Sequence, residues 1–220
     1  MGDQKSYRVL VVDDHPLLRE GITTLLEAEP GFTVIGQVGT VGAAVDAIEA
    51  DPPDLVVSDL SLPDRNGLEL IRETLARFPE IQFLVVSMHD ETLYAERVLR
   101  AGAKGYIMKD AASDELVDAA RKVLEDEIYV SPPMASLLIR RLSGKENRPN
   151  GQNSVLQVLS DRELQIFELV GRALSNQSIA EKLNISARTV DAHKTHIKEK
   201  LEIPDNNAMI RFAVQWLEGR

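Results

Sequence analysis

DLVVSDLSLPDRNGLEL, residues 54–70, is the stretch on which the reading of the fold turns. Leu55, Val56 and Val57 form a short continuous apolar run, too brief for a helix and without alternation, as expected of a strand covered on both faces. Ser58 and Asp59 end the run, and Pro63, Asp64, Asn66 and Gly67 supply turn residues before a helix-period segment begins. On either side, RVLVVDD (8–14), FTVIGQV (32–38), FLVVSM (83–88) and GYIMKD (105–110) repeat the pattern. The spacers are about ten to twenty residues long, enough for the helical crossovers that parallel strands require. Five strands and five helices are therefore predicted over residues 7–127, in an α/β fold. Pro16 is placed to open the first helix, Gly31 and Gly102 to end helices, and Ser113 to cap the fifth.

In an open parallel sheet the ligand site lies beyond the carboxyl ends of the strands, where strand order reverses. The polar residues ending the apolar runs are Asp13 and Asp14, Asp59, Ser87 and Lys109. Carboxylates brought together repel unless a cation sits among them, and an oxygen-rich site suits Mg2+. Lys109 offers fixed positive charge to a phosphoryl group and Ser87 a hydroxyl to one of its oxygens. Asp59 stands alone on its strand while Asp13 and Asp14 form a ready pair for metal, so Asp59 is the better nucleophile. Its attack on phosphorus gives an acyl phosphate. Taken singly, each of these residues reads as well as a turn or cap residue; their recurrence at successive run ends argues for a site.

VLVVDDHP (9–16), VVSDLSLPDRNGLEL (56–70), VVSMHD (85–90) and AGAKGYIMKD (101–110) resemble the receiver domain of two-component response regulators across residues 7–127. The resemblance implies a flavodoxin-like five-stranded parallel sheet with Asp59 as phosphoacceptor. It implies Mg2+ held by Asp13, Asp14, Asp59 and the backbone carbonyl of Ser61, Lys109 as the family's lysine, Ser87 as switch hydroxyl and Tyr106 as aromatic switch. Ser61 and His89 fall where receivers tune the hydrolysis of the acyl phosphate. One departure is that Asp110 follows Lys109 where receivers commonly carry a cis proline. A non-proline cis bond costs about 3 kcal/mol, which leaves the shape of that loop open.

The net charge of −10 divides unevenly: residues 1–130 hold 12 Lys/Arg against 25 Asp/Glu, and residues 131–220 hold 13 against 10. An acidic module followed by one able to approach phosphates fits, although two differently solvated surfaces would look the same. The absence of cysteine excludes disulfides and thiolate metal sites. No apolar run is long enough to span a membrane, and a cytoplasmic protein is expected. Residues 1–6 are read as a disordered N-terminus and 128–156 as a linker, in which MASLLIRRL (134–142) suits a short helix and SGKENRPNGQNS (143–154) has almost nothing to bury.

Residues 157–220 read as a separate all-α domain of four short helices, opened by a Ser160/Glu163 capping box, Ser175, Ser186 and Asp205. A compact helix, a turn near Asn184 and a longer helix have the layout of a helix-turn-helix. Its expected core is Ile166, Phe167, Leu169, Val170, Ile179, Leu183, Ile185, Val190, Ile197 and Leu201. At 100 degrees per residue, Val190, Ile197 and Leu201 share one face of the long helix, and Arg188, Asp191, Ala192, Thr195 and Glu199 lie opposite. Lys194, Lys198 and Lys200 flank that opposite face, within reach of phosphates. A small bundle with a solvated charged face would share these features.

LSDRE, ALSNQSIAEKL and ISARTVDAHKTHI resemble the LuxR-type (NarL/FixJ) effector domain over residues 156–220. Its base-reading positions fall on Asp191, Ala192 and Thr195, with Arg188, Lys194 and Lys198 as further DNA contacts. The acid at Asp191 reads either as a partner of cytosine N4 or as a partner of Arg188. His193 and His196 stand three apart with no third ligand near them in sequence, so no metal is expected there, and His193 is placed at the core edge.

The two resemblances together imply a response regulator phosphorylated by a sensor histidine kinase, which then binds double-stranded DNA as a homodimer and regulates transcription. An aspartyl-phosphate phosphohydrolase is the enzymatic alternative, but such enzymes usually carry a second acid two residues after the nucleophile, where this chain has Ser61. The chain is expected to catalyse only its own phosphoryl transfer and dephosphorylation. An adaptor working unphosphorylated would be expected to lose one of Asp14, Asp59 or Lys109.

Overall fold

The computed structural model describes residues 6–142, 155 and 158–218. It falls into two compact units, 1–142 and 143–220. Apart from Ser6, the N-terminal segment read as disordered lies outside the described residues, as does the polar stretch 143–154.

The first unit runs β1 (Tyr7–Val12), α1 (Pro16–Glu27), β2 (Phe32–Val38), α2 (Val41–Ala50), β3 (Leu55–Ser58), α3 (Gly67–Arg77), β4 (Gln82–Ser87), α4 (Glu91–Ala101), β5 (Gly105–Met108), α5 (Ala112–Leu124) and α6 (Pro132–Leu142). The strands form one sheet in the order β2-β1-β3-β4-β5, all pairs parallel. All four residues of β3 are buried, which is why its apolar run is unbroken. Successive side chains alternate faces. Val9, Val11, Leu55, Val57, Leu84, Val86 and Ile107 form one core with Ile22 and Leu26 of α1 and Leu116, Ala119, Ala120 and Val123 of α5. Each fully buried Val or Leu contributes about 1.5–3 kcal/mol.

The strand order reverses beside β1, and the register places the site there. Val12 pairs with Ser58, and the Asp59 N–H donates to the Val12 carbonyl at 2.9 Å. Asp13 and Asp59 therefore leave the sheet side by side. Gly67 holds the following loop close: a Cβ at that position would stand 2.3 Å from the Asp59 carbonyl oxygen. No larger residue fits without moving the phosphoacceptor candidate's backbone.

Three local expectations turn out unequally. Gly102 does end α4, in a left-handed conformation with φ +107°. Gly31, at φ +99°, belongs instead to the turn before β2, because α1 already ends with Ala28 as its cap. Ser113 does not cap α5. Turns from Ala111 N–H to the Met108 carbonyl and from Ala112 N–H to the Lys109 carbonyl start the helix early, leaving Ser113 inside its first turn.

Beyond residue 127 the chain stays bound to the sheet. Tyr129 donates its N–H to the Lys104 carbonyl and accepts from Tyr106 N–H, both at 2.8 Å. The Ser131 N–H and hydroxyl then both meet the Glu91 carboxylate at the start of α4. Ser131 Oγ also accepts from Met134 N–H, opening α6, whose Met134 and Leu137 are buried. The short helix expected at 134–142 within the linker is present as part of α6, which packs on α4.

The second unit contains α7 (Asp161–Gly171), α8 (Asn176–Lys182), α9 (Ala187–Lys200) and α10 (Asn206–Glu218). The capping box is present: Ser160 N–H donates to Glu163 Oε2 at 2.7 Å, and Glu163 N–H to Ser160 Oγ. Ser175 and Ser186 cap α8 and α9, and Asp205 accepts from Ala208 N–H. Asn184 makes the α8–α9 turn at φ +50°. The core contains Ile166, Phe167, Val170, Ile179, Val190 and Ile197 as expected, joined by Met209, Ala213 and Trp216 of α10. Ile185 and Leu201 are only partly buried. Among the described residues no helix is long and apolar enough to cross a membrane.

Candidate functional site

The carboxyl ends of β1, β3 and β5 bring Asp13, Asp59 and Lys109 into contact. Lys109 Nζ lies 2.7 Å from Asp13 Oδ2 and 2.7 Å from Asp59 Oδ2, with all three side chains at most 5% exposed. Burial opposes a charged lysine, but the Asp59 and Asp13 carboxylates outweigh it and hold the ammonium above its ordinary value. Asp59 Oδ1 turns back to accept from Leu60 N–H at 2.6 Å. The Lys109–Asp110 peptide is trans, and Lys109 N–H donates to the Ser87 carbonyl at 2.9 Å, docking β5's end beside β4's.

Asp14, one-third exposed, forms the outer wall, and His15 Nδ1 sits 2.7 Å from its Oδ1 and 3.1 Å from Asp13 Oδ1. One ligand atom from each of Asp13, Asp14, His15 and Asp59 falls within 4.8 Å of the others. Asp13 Oδ2 is buried with the Lys109 ammonium 2.7 Å away as its partner. Carboxylate oxygens gathered this closely at one rim are the donor set of a hard divalent cation, so the residues fit Mg2+.

Ser87 is fully buried at the end of β4, and His89 N–H approaches its hydroxyl at 3.4 Å. Tyr106 is buried too and donates its hydroxyl to the His89 carbonyl at 2.7 Å. Burial and the Asp59 charge push its hydroxyl well above the ordinary tyrosine value, against a contribution from Ser87, so it stays a donor. Ser61 Oγ pairs with His89 Nε2 at 2.7 Å, and the His89 ring packs on Tyr94 at 4.5 Å. His89 thereby ties the β3–α3 loop to the β4–α4 loop.

Two positioning residues escaped the sequence reading. Asp64 accepts from Val41 and Gly42 N–H, both at 2.9 Å, pinning the β3–α3 loop to the start of α2. Burial raises its carboxyl, but these backbone bonds outweigh it and hold the group below the ordinary value. Arg19 reaches the Asp13 carbonyl at 2.5 Å. A lone Asp in a turn and an Arg on a helix carry no such signal until the loops are folded together.

In the second unit Arg188, Asp191, Ala192, Thr195 and Glu199 are all exposed on α9. Asp191 accepts from Asn176 Nδ2 rather than from Arg188, while Lys194 Nζ donates to Asn176 Oδ1. Burial, opposed by Asp191 and reinforced by Lys198, holds the Lys194 ammonium below its ordinary value. The Thr195 hydroxyl donates to the Asp191 carbonyl at 3.0 Å. Lys200 does not flank the face freely but bonds Glu163 Oε2 at 2.7 Å. His193 is half-buried; burial and Arg162 hold it below the ordinary histidine value.

Comparison with known proteins agrees with both halves. A family profile described as response regulator receiver domain matches residues 9–121, and one described as bacterial regulatory proteins, luxR family, matches residues 157–213. The chain is 32% identical over 210 residues to the oxygen regulatory protein NreC of Staphylococcus carnosus, covering 94% of this chain and 97% of that protein. It is 30% identical to the transcriptional regulatory protein DegU of Brevibacillus brevis, covering 99% and 98%. A LuxR-family two-component response regulator from Aurantimonas sp. SI85-9A1 is 32% identical over 63% of this chain and 99% of its own, with a TM-score of 0.59. The RcsB response regulator of Salmonella typhimurium, at 23% identity, shares the fold over 96% of this chain and 98% of its own with a TM-score of 0.66. With a receiver profile over one unit, a luxR-type profile over the other and relatives aligned end to end, the chain belongs to the two-component response regulators that carry a LuxR-type helix-turn-helix.

Proposed function

We propose that Asp59 accepts a phosphoryl group from a sensor histidine kinase and that the phosphorylated chain binds double-stranded DNA as a homodimer to regulate transcription in the cytoplasm. The observation that carries the first half is the ammonium of Lys109 held 2.7 Å from both Asp13 and Asp59 at the strand-order reversal. An Asp59 carboxylate oxygen attacks phosphorus, and the bond from phosphorus to the kinase imidazole nitrogen breaks as the imidazole leaves. Lys109 then passes its charge from the Asp59 carboxylate to a phosphoryl oxygen, and Ser87 donates its hydroxyl to another. Asp13, Asp14, Asp59 and the Ser61 carbonyl would hold Mg2+, which supplies charge neutralisation for the incoming phosphoryl group. Beyond this transfer and its hydrolysis no turnover is assigned.

The Tyr106 hydroxyl bond to the His89 carbonyl, two residues past Ser87, supports a switch. A Ser87 drawn to the phosphoryl group displaces the loop that Tyr106 holds, and Tyr106 must follow or lose its partner. RcsB is seen as dimers bound to DNA and bound to a promoter in the presence of a phosphomimetic; a like output is proposed for this chain. Phosphorylation with acetyl phosphate is expected to raise the self-association constant in analytical ultracentrifugation across concentration. An unchanged constant would assign output control to another step.

Base reading is assigned to Asp191, Ala192 and Thr195, and phosphate contact to Arg188, Lys194 and Lys198, with Lys194 the least available because Asn176 holds it. Lys198→Ala should weaken binding to specific and scrambled duplexes alike and reduce the salt slope by about 0.9. Thr195→Ala should cost about 1–3 kcal/mol at one base position with the slope unchanged. Fluorescence anisotropy at several salt concentrations separates them, and equal losses on both duplexes for Thr195→Ala would remove this face from the groove.

A further inference from the structure

We infer that the helix-turn-helix unit carries a zinc site formed by Glu163, His193 and His196, linking its first helix to its long helix. His193 and His196 lack a third donor in sequence, but the fold supplies one. One ligand atom from each of the three residues lies within 4.8 Å of the other two. Glu163 stands at the third position of α7 and the histidines one turn apart on α9, two helices packed against each other. Two imidazoles and one carboxylate are a borderline-soft donor set of the kind that selects Zn2+ over the hard Mg2+ proposed at the strand ends.

The site is partly built in advance. The capping box and Lys200 fix the Glu163 carboxylate, whose Oε2 accepts from Ser160 N–H and Lys200 Nζ, both at 2.7 Å. Glu163 is buried, His193 half-buried and His196 exposed, which gives a cation a floor and an entrance. Donors on a tetrahedral zinc with bonds of about 2.0–2.2 Å stand roughly 3.3 Å apart, a spacing inside the 4.8 Å limit of this cluster. Lys200 and Arg162 are the competing positive charges, and the ion would take over the charge balance that Lys200 now gives Glu163. A fourth position stays open to water or an outside ligand. Zn2+ would therefore tie α9 to α7 at the edge of the face that carries Asp191, Ala192 and Thr195, with His196 next to Ala192 around the helix.

The test uses the full chain, stripped of metal and held in excess Mg2+ to occupy the receiver acids, titrated with Zn2+ by calorimetry. One equivalent should bind, and His196→Asn and His193→Asn should each lower the affinity at least about tenfold, as loss of a direct ligand exceeds the usual cost of losing a supporting partner. Imidazole NMR signals of both histidines should shift on Zn2+ addition in the unaltered chain. Circular dichroism checks that the variants fold; His196, being exposed, is the safer of the two. Co2+ in place of Zn2+ should give the visible absorption of a tetrahedral site. Absence of Zn2+ binding, or binding undiminished in the folded His196→Asn chain, would overturn the assignment.

Discussion

In the Asp59→Asn chain, acetyl phosphate with Mg2+ should add nothing, whereas the unaltered chain should gain one phosphoryl group in intact-protein mass spectrometry. The loss is expected to be complete because, among the described residues, no other carboxylate has the same surroundings. Asp13 shares Lys109, but its Oδ1 is taken by His15 N–H at 2.8 Å, and Asp14 faces outward. An amide in place of the Asp59 carboxylate preserves the shape while removing the nucleophile and one of the two charges on Lys109. Undiminished labelling of this variant would move the phosphoacceptor elsewhere and dismantle the proposed site.

Trp216→Ala should be the most destructive change in the second unit, costing about 3–5 kcal/mol. Trp216 is 3% exposed and meets Phe167 edge-on at a centroid distance of 5.5 Å. A domain of this size has only about 3–9 kcal/mol in hand. Urea denaturation should show the second unit unfolding at a much lower midpoint, with loss of DNA binding. Acetyl-phosphate labelling should persist, since Asp59 belongs to the other unit. A midpoint within experimental error of the unaltered chain would mean that α10 is dispensable to the core.

How much of this was legible in the sequence follows from the range over which each feature acts. The strands could be read because burial on both faces leaves unbroken apolar runs such as Leu55–Val57, and the site because its residues end those runs. The α9 face could be read because helical period alone sorts Val190 and Ile197 from Asp191 and Thr195. What could not be read depends on partners distant in the chain. Asn176 reaching Asp191, Lys200 turned to Glu163, and Ser61 paired with His89 each join separate segments. The segment 129–131 was opaque for the same reason. Tyr129 is ordered by the backbone of Lys104 and Tyr106, and Ser131 by Glu91, none of which leaves a local pattern. Gly31 and Ser113 were misplaced by a few residues because turn geometry, rather than residue preference, fixed the neighbouring helix ends.

The central claim is that phosphorylation of Asp59 controls DNA binding by α9, and its most direct test is DNA affinity of the full chain with and without acetyl phosphate. Anisotropy would be read on a duplex selected from a random pool by the phosphorylated protein. The affinity of the unaltered chain should rise by a factor within the usual range of coupling between sites, about 5–150-fold, and that of Asp59→Asn should not change. An equal rise in Asp59→Asn, or no rise in an unaltered chain that mass spectrometry shows to be phosphorylated, would contradict the account.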